Sequence, residues 1–498
     1  MFLHSQSHSP LYPLRFPRYW GGVQKQSSEE NICILIMHFQ CKNKFEHLLN
    51  IYILIIMLKT FITALAFYAI SLPTLAQAQQ HMVEYFVQQL EGKQATASNN
   101  TFKIKQLDAK RHMVWEAWKM ANQRAKTLPQ LPFISPLGSV SASWQLPANL
   151  EPHATLPYYY GYKGEKPNAG YPFFLYLHGS GPKNQEWATG LALAQRFNDA
   201  PSVYFIPQIP NEGEWYRWWQ HSKQYAWENL LRTTLLSDSI NPNRLYVFGI
   251  SEGGYGSQRL ASYYADYWAA AGPMAGGEPL KNAPVENLCN IGFTFYTGAD
   301  DAGFYRNTLT NYTREALDSL QKLYPTAFQH KVVLVPNRQH FIDYSVTTPE
   351  LLQFTRNPHP THFIWEDFEM DGQHRKGFYN LCVLQRPDKK ARTRYDVNIN
   401  NNIVNIQVRN VDYTTTQRDS IFGIEMKFNR NYSTASGGQL RVYLDEKLVD
   451  LSQPITIIIN DKQVCHAKAQ LSLKHLEESL CTFYDRERMF PVAFDVKY

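Results

Sequence analysis

Cysteine is scarce in this chain, with six residues in 498, and only Cys289, Cys382, Cys465 and Cys481 lie beyond residue 78. Their spacings match no Cys/His ligand pattern, which excludes a zinc-ribbon type of site and a disulfide-dense scaffold. In an oxidising compartment Cys465 and Cys481 could pair; two buried free thiols are the equal alternative. Long runs of like charge are also missing, as is any basic stripe interleaved with aromatics, so no nucleic-acid partner is expected. The formal net charge is only +6, and it falls to +3 without residues 1–78. No repeat of propeller-blade length precedes Pro172, and that region is too short for a set of four-stranded blades.

What the chain does have is apolar and aromatic mass. With 44% hydrophobic residues, 11 Trp and 31 Tyr, it can bury at least one large core, and its length suits two domains. Residues 57–78 (MLKTFITALAFYAISLPTLAQA) place Lys59 before an apolar stretch that ends in Ala76-Gln77-Ala78, the pattern of a secretory signal peptide. Residues 1–56 lack the periodicity and capping of a folded unit and read as an unstructured extension, with Met57 as the natural start. The competing reading is a membrane anchor over Leu48–Ala76, which Lys59 interrupts. Gln79, not cysteine, follows the cleavage pattern, so the expectation is a soluble enzyme in the periplasm or outside the cell, with no membrane partner after cleavage.

The chemistry is concentrated in Arg244 to Gly256, RLYVFGISEGGYG. Leu245 to Phe248 is an apolar run suited to a strand buried on both faces, and Gly249-Ile250-Ser251-Glu252-Gly253 is a G-x-S-x-G elbow. A serine on so sharp a strand-to-helix turn needs very small residues two before and two after it, and glycines fill both places. A helix is expected from Tyr255. An earlier strand, Phe173 to Leu177, runs into His178-Gly179-Ser180-Gly181-Pro182, where glycines let the backbone approach a ligand. The NH groups of Ser180 and Glu252 are the expected oxyanion donors. His178 is expected to be a buried histidine holding its loop.

The acid and base should follow the serine at the ends of later strands. Ile291 to Asp301 ends in Asp300-Asp301, and the G-x-x-D spacing from Gly298 selects Asp301, with Asp300 as the alternative. The strand Lys331 to Val335 leads to Pro336-Asn337-Arg338-Gln339-His340, making His340 the base. His330 precedes its strand, and His359 and His362 lie in a Pro-containing segment, so these three are expected to stand apart. The order Ser251, Asp301, His340 is that of the α/β hydrolases.

The segments LYLHGSGP, GISEGGYG, TGADD and RQH, in that order, resemble the secreted polyhydroxybutyrate-depolymerase-like and feruloyl or acetyl esterases of carbohydrate esterase family 1. The similarity spans roughly Tyr158 to Tyr379. It implies a carboxylic ester hydrolase without metal or organic cofactor, acting on acylated carbohydrate or a small ester. The G-x-S-x-G-G-Y-G elbow also occurs in prolyl-oligopeptidase-like serine peptidases, which stay open as the second reading. A non-catalytic carbohydrate-binding protein on the same scaffold is the third.

Trp187 and the cluster Glu214 to Trp219 lie between the oxyanion loop and the elbow. Flat rings suit sugar faces and aromatic acyl groups, so Trp187, Trp215 and Trp219 are the candidate substrate-binding residues, with core or cover roles as the alternative. The expected organisation is a helical segment at 79–135 packing on the catalytic core, then an α/β-hydrolase domain with a largely parallel sheet at 136–380. A smaller, mostly β domain follows at 381–498. Without a clear aromatic platform, that last domain is read as a brace for the catalytic domain.

Overall fold

The structure is a computed structural model that describes residues 28–387 and 392–498, with side chains left out at 28–37, 63–76 and 78. Two units are distinguished, Met1–Gln77 and Ala78–Tyr498. In the first, residues 1–27 of the expected extension lie outside the described residues. The helix α1 spans Ser28–Leu90, and within it His38–Ile62 is long and apolar enough to cross a membrane by length and composition. That stretch starts upstream of the apolar run expected at 57–78, most of whose side chains are not described.

In the second unit the C-terminal end of α1 buries Met82, Val83 and Phe86 against α2 (Leu107–Arg124). Both pack on Leu473, Leu476 and Leu480, which belong to a helix near the other end of the chain. The helical segment was expected on the catalytic core; the structure puts its apolar stripe mainly against this distant helix instead.

The main sheet has nine strands: β1 Ser135–Pro136, β2 Ser141–Gln145, β3 Thr155–Lys163, β4 Tyr171–Leu177, β5 Ser202–Pro207, β6 Ile240–Ile250, β7 Ala270–Met274, β8 Gly292–Gly298 and β9 His330–Val335. Their order is β1-β3-β5-β4-β6-β7-β8-β9, with β2 also paired to β3. From β5 across to β9 every pairing is parallel, but β3 runs antiparallel to both β2 and β5. The sheet is therefore mixed at one edge. Short links join β2 to β3, and they permit the antiparallel pairing that long helical crossovers do not.

Helices α3 (Lys183–Arg196), α4 (His221–Leu235), α5 (Glu252–Tyr263), α6 (Arg306–Leu323) and α7 (Thr347–Leu351) cover the sheet. Alternation along the strands decides which face each meets. Phe173, Leu175, Val247 and Phe293 point to the side of Leu230 in α4, Leu260 in α5 and Leu317 in α6. Phe174, Tyr176, Phe248 and Met274 point to the side of Ala194 in α3 and Leu351 in α7. Burial on both faces is why β4, YPFFLYL, carries no solvent-exposed position.

Beyond α7 the chain is mostly β. Strands β10 (His362–Asp367), β11 (Gly377–Phe378), β12 (Leu381–Gln385), β13 (Arg392–Asn400), β14 (Ile403–Arg418), β15 (Glu425–Thr434), β16 (Gln439–Leu444), β17 (Ile455–Ile459), β18 (Lys462–Ala467) and β19 (Val492–Lys497) form a six-stranded and a four-stranded sheet, with α8 (Leu473–Phe483) between β18 and β19. Trp365, Tyr395, Val404 and Val442 belong to the same apolar cluster as Phe173 and Val247 of the main sheet. Residues 381–498 are thus rich in strands, as expected of the C-terminal region, but share one core with the catalytic sheet. Cys289, Cys382, Cys465 and Cys481 are all free thiols.

Candidate active site

In the main sheet the chain leaves β4 toward one side, for β5, and returns to the other, for β6, so neighbouring strands β4 and β6 form a switch point whose carboxyl ends open a crevice. Leu177, the last residue of β4, lies beside Gly249 near the end of β6. Ser251 follows β6 with φ 58° and ψ −115°, a conformation that bulky L-residues avoid, and α5 begins at the next residue. The two flanking glycines permit the turn. A Cβ on Gly249 would stand 2.2 Å from the carbonyl oxygen of Gly253, and one on Gly253 would stand 1.9 Å from that of Leu177.

The other two groups come from the neighbouring strand ends. Asp301 lies three residues past β8 and His340 five past β9. Gly298 lets these loops touch, since a Cβ there would meet the Gln339 carbonyl oxygen at 2.0 Å. The NH of Asp300 donates to the Arg338 carbonyl at 2.9 Å. This pinning brings the three side chains into line. Nδ1 of His340 is 2.8 Å from Oδ2 of Asp301, and Nε2 of His340 is 3.0 Å from the Ser251 hydroxyl. Asp300 points to solvent, whereas the Asp301 side chain is buried.

Asp301 has a second partner. Arg306, at the start of α6, donates to both carboxylate oxygens, from Nε at 2.8 Å and from a terminal nitrogen at 2.5 Å. Burial opposes ionisation of Asp301, but the hydrogen bonds from His340 and Arg306 and the guanidinium charge outweigh it, holding the carboxyl below its ordinary range. An ionised Asp301 only accepts, so the imidazole donates from Nδ1 and turns a lone pair at Nε2 toward the Ser251 hydroxyl. Arg306 was missed in the sequence because nothing in Arg306 to Asn311 signals a helix start.

Ser180 and Glu252 both line the cavity that holds Ser251. Their backbone NH groups carry no hydrogen bond to protein among the described residues. That is the state a pair of oxyanion donors requires before substrate arrives. His178 lies beneath this loop, fully buried. Its Nε2 accepts from the NH of Ile209 at 3.1 Å, so Nδ1 carries the proton and donates to the Gly179 carbonyl at 2.7 Å. Burial lowers its pKa to about 4, and the imidazole stays neutral as a strut for the loop.

The cavity measures about 480 Å³, within the range of small-ligand sites. Of the three tryptophans singled out in the sequence, the structure places only Trp219 on it. Trp187 instead donates its indole NH to the Ile206 carbonyl at 2.9 Å and stacks on Tyr159 at 4.2 Å, packing α3 on the sheet. Trp215 faces the buried Lys223, whose ammonium also bonds its carbonyl oxygen at 2.8 Å. Both rings are engaged in these packing contacts and do not line the cavity. His330 and His362 bond to Asp318 and Asp396, and His359 lies beside Asp445, all away from Ser251. Among the described residues no group of three or more His, Cys, Asp or Glu side chains is arranged to hold a metal ion.

No family model matches the chain, and neither does any curated protein. Solved structures similar to it include a thermostable esterase, 20% identical over 43% of this chain with TM-score 0.32, of which the chain spans 58%. Another is a ferulic acid esterase from Anaeromyces mucronatus in complex with ferulic acid, 14% identical over 46% of this chain and 94% of that one, TM-score 0.34. A third is a candidate dipeptidyl aminopeptidase IV from Bacteroides ovatus, 12% identical over 43% of this chain and 35% of that one, TM-score 0.33. At such identities and scores, these structures carry no part of the functional reading.

Proposed function

We propose that this chain is a serine hydrolase that cleaves carboxylic esters through an acyl-enzyme. The observation that carries the reading is the hydrogen-bonded line from Asp301 through His340 to a serine held on a strained turn. His340 takes the Ser251 proton at Nε2 as Oγ bonds to the acyl carbon, and the carbonyl electron pair moves onto oxygen. The NH groups of Ser180 and Glu252 hold that oxyanion. Its collapse expels the alkoxide, which takes the proton from His340. Water then repeats the sequence on the acyl-enzyme, releasing the acid and restoring Ser251. Asp301 stays ionised throughout and stabilises the imidazolium.

The substrate class proposed is acyl groups on polysaccharide, in the periplasm or outside the cell. Support comes from the family-type motifs, from Trp219 on the cavity wall and from the signal-like residues 57–78. A panel of a short aryl acetate, methyl ferulate, acetylated xylan and a proline-containing peptide amide tests the reading. Hydrolysis of the esters is expected, and Ser251→Ala should lower kcat by about 10⁶ with the fold intact. Turnover confined to the peptide amide would replace the esterase reading by the peptidase one.

A further inference from the structure

The β14–β15 hairpin lies outside the span with esterase-like motifs, yet its tip reaches the cavity in front of Ser251. Arg418, Phe422 and Ile424 share that cavity's wall with Ser251 and Phe304. The tip is a built structure. The Asp419 carboxylate accepts from the NH groups of Ile421 at 3.0 Å and Phe422 at 2.6 Å, while Arg418 donates to the Gly423 carbonyl at 2.9 Å. It is also docked onto the loop after the triad acid, because the Tyr305 hydroxyl donates to Asp419 at 2.7 Å. The rings of Phe304 and Phe422 meet at 4.6 Å, tilted by 46°.

Two features of this contact are costly to the fold. Phe304 and Tyr305 have φ of 51° and 58°, consecutive left-handed residues with large side chains where glycine would be unstrained. The strained turn leaves Phe304 49% exposed, and Phe422 is 50% exposed. Neither ring is therefore used up in packing the core. Trp219, also on the cavity wall, is fixed by the Arg259 guanidinium, 3.9 Å from its ring centre, and Arg259 is itself held by Glu278. A planar apolar group entering the cavity would find the rings of Phe304 and Phe422 and the indole of Trp219 among its lining.

We propose that Phe304 and Phe422 form a ring-binding subsite of the active site, taking an aromatic part of the substrate ester. The tip of the β14–β15 hairpin thereby sets selectivity. This rests on the ester-hydrolase reading for its kinetic readout, but its binding readout does not. The C-terminal region then supplies part of the substrate site, beyond the bracing role its sequence suggested.

The test compares methyl 3-phenylpropanoate and benzyl acetate, which carry a ring on the acyl or the alcohol side, with ring-free methyl butyrate. Phe422→Ala and Phe304→Ala should each lower the ring-bearing to ring-free ratio of kcat/KM by about three- to tenfold for one of the two ring-bearing esters. The loss should appear in KM, and Phe422→Tyr, which keeps a ring, should restore the ratio. Calorimetry in a Ser251→Ala background should show the same weakening of the same ester's binding on Phe422→Ala. A ratio unchanged within twofold, or equal binding with and without the Phe422 ring, would overturn the subsite. Failure of the wild type to hydrolyse any ester while ring-dependent binding persists would sink the reaction assignment and leave the subsite standing.

Discussion

Glu252 follows the nucleophile directly, and its carboxyl sits in the cavity wall with Oε1 unpartnered and Oε2 3.5 Å from Arg217. Burial pushes its pKa up to about 7, with the Arg217 charge opposing. Protonated in the folded state when a free carboxyl would already have ionised, Glu252 contributes stability that is fully present below about 4.5 and is lost as the pH rises through about 7. Glu252→Gln removes that dependence. The variant's thermal stability relative to wild type should therefore improve between pH 5 and pH 8, with a difference on the order of 3 kcal/mol at full linkage. Scanning calorimetry at the two pH values checks this, and an offset independent of pH would refute it. At this scale the sequence was informative where a residue type had one geometric use. G-x-S-x-G demanded the turn, and G-x-x-D chose Asp301 over its neighbour. It was silent on Arg306, whose role depends on a helix beginning at a left-handed Tyr305.

Elements succeed or fail here by how closely backbones can approach. Gly253, in the first turn of α5, sits against the end of β4, and an added methyl would lie 1.9 Å from the Leu177 carbonyl oxygen and 2.5 Å from its carbon. Since β4 is buried on both faces and cannot yield, Gly253→Ala should destabilise the fold by about 3 kcal/mol or more and disorder the elbow. Chemical unfolding measures the first and esterase activity the second; wild-type values for both would contradict the elbow geometry. The parallel strands were readable because each is an apolar run between turn formers. The stretch Asp396 to Val408 is strand-like throughout in sequence, yet it is a hairpin between β13 and β14, turned at Asn401 with φ 51°. The signal was present in Asn400-Asn401-Asn402, since asparagine tolerates that conformation.

The whole molecule joins what the sequence divides. A buried ion network links Asp266, just past α5, to Arg375 and Arg488, and Asp485 to Arg488 and Arg356. Together with the shared apolar cluster, it ties the C-terminal strands to the catalytic sheet. No local pattern announces such a union, because a charged residue in a sequence looks the same whether it meets water or a partner more than 200 positions away. The hairpin tip at the cavity escaped for the same reason: its ring reads as surface until the fold places it beside Ser251. The central claim is that this assembly makes Ser251 the nucleophile. Rapid mixing with p-nitrophenyl acetate, acid quench and peptide mapping by mass spectrometry measures that directly. A single acetyl group on the peptide containing Ser251, absent from Ser251→Ala, is the result predicted. Acetylation on another residue, or ester turnover that persists in Ser251→Ala, would contradict it.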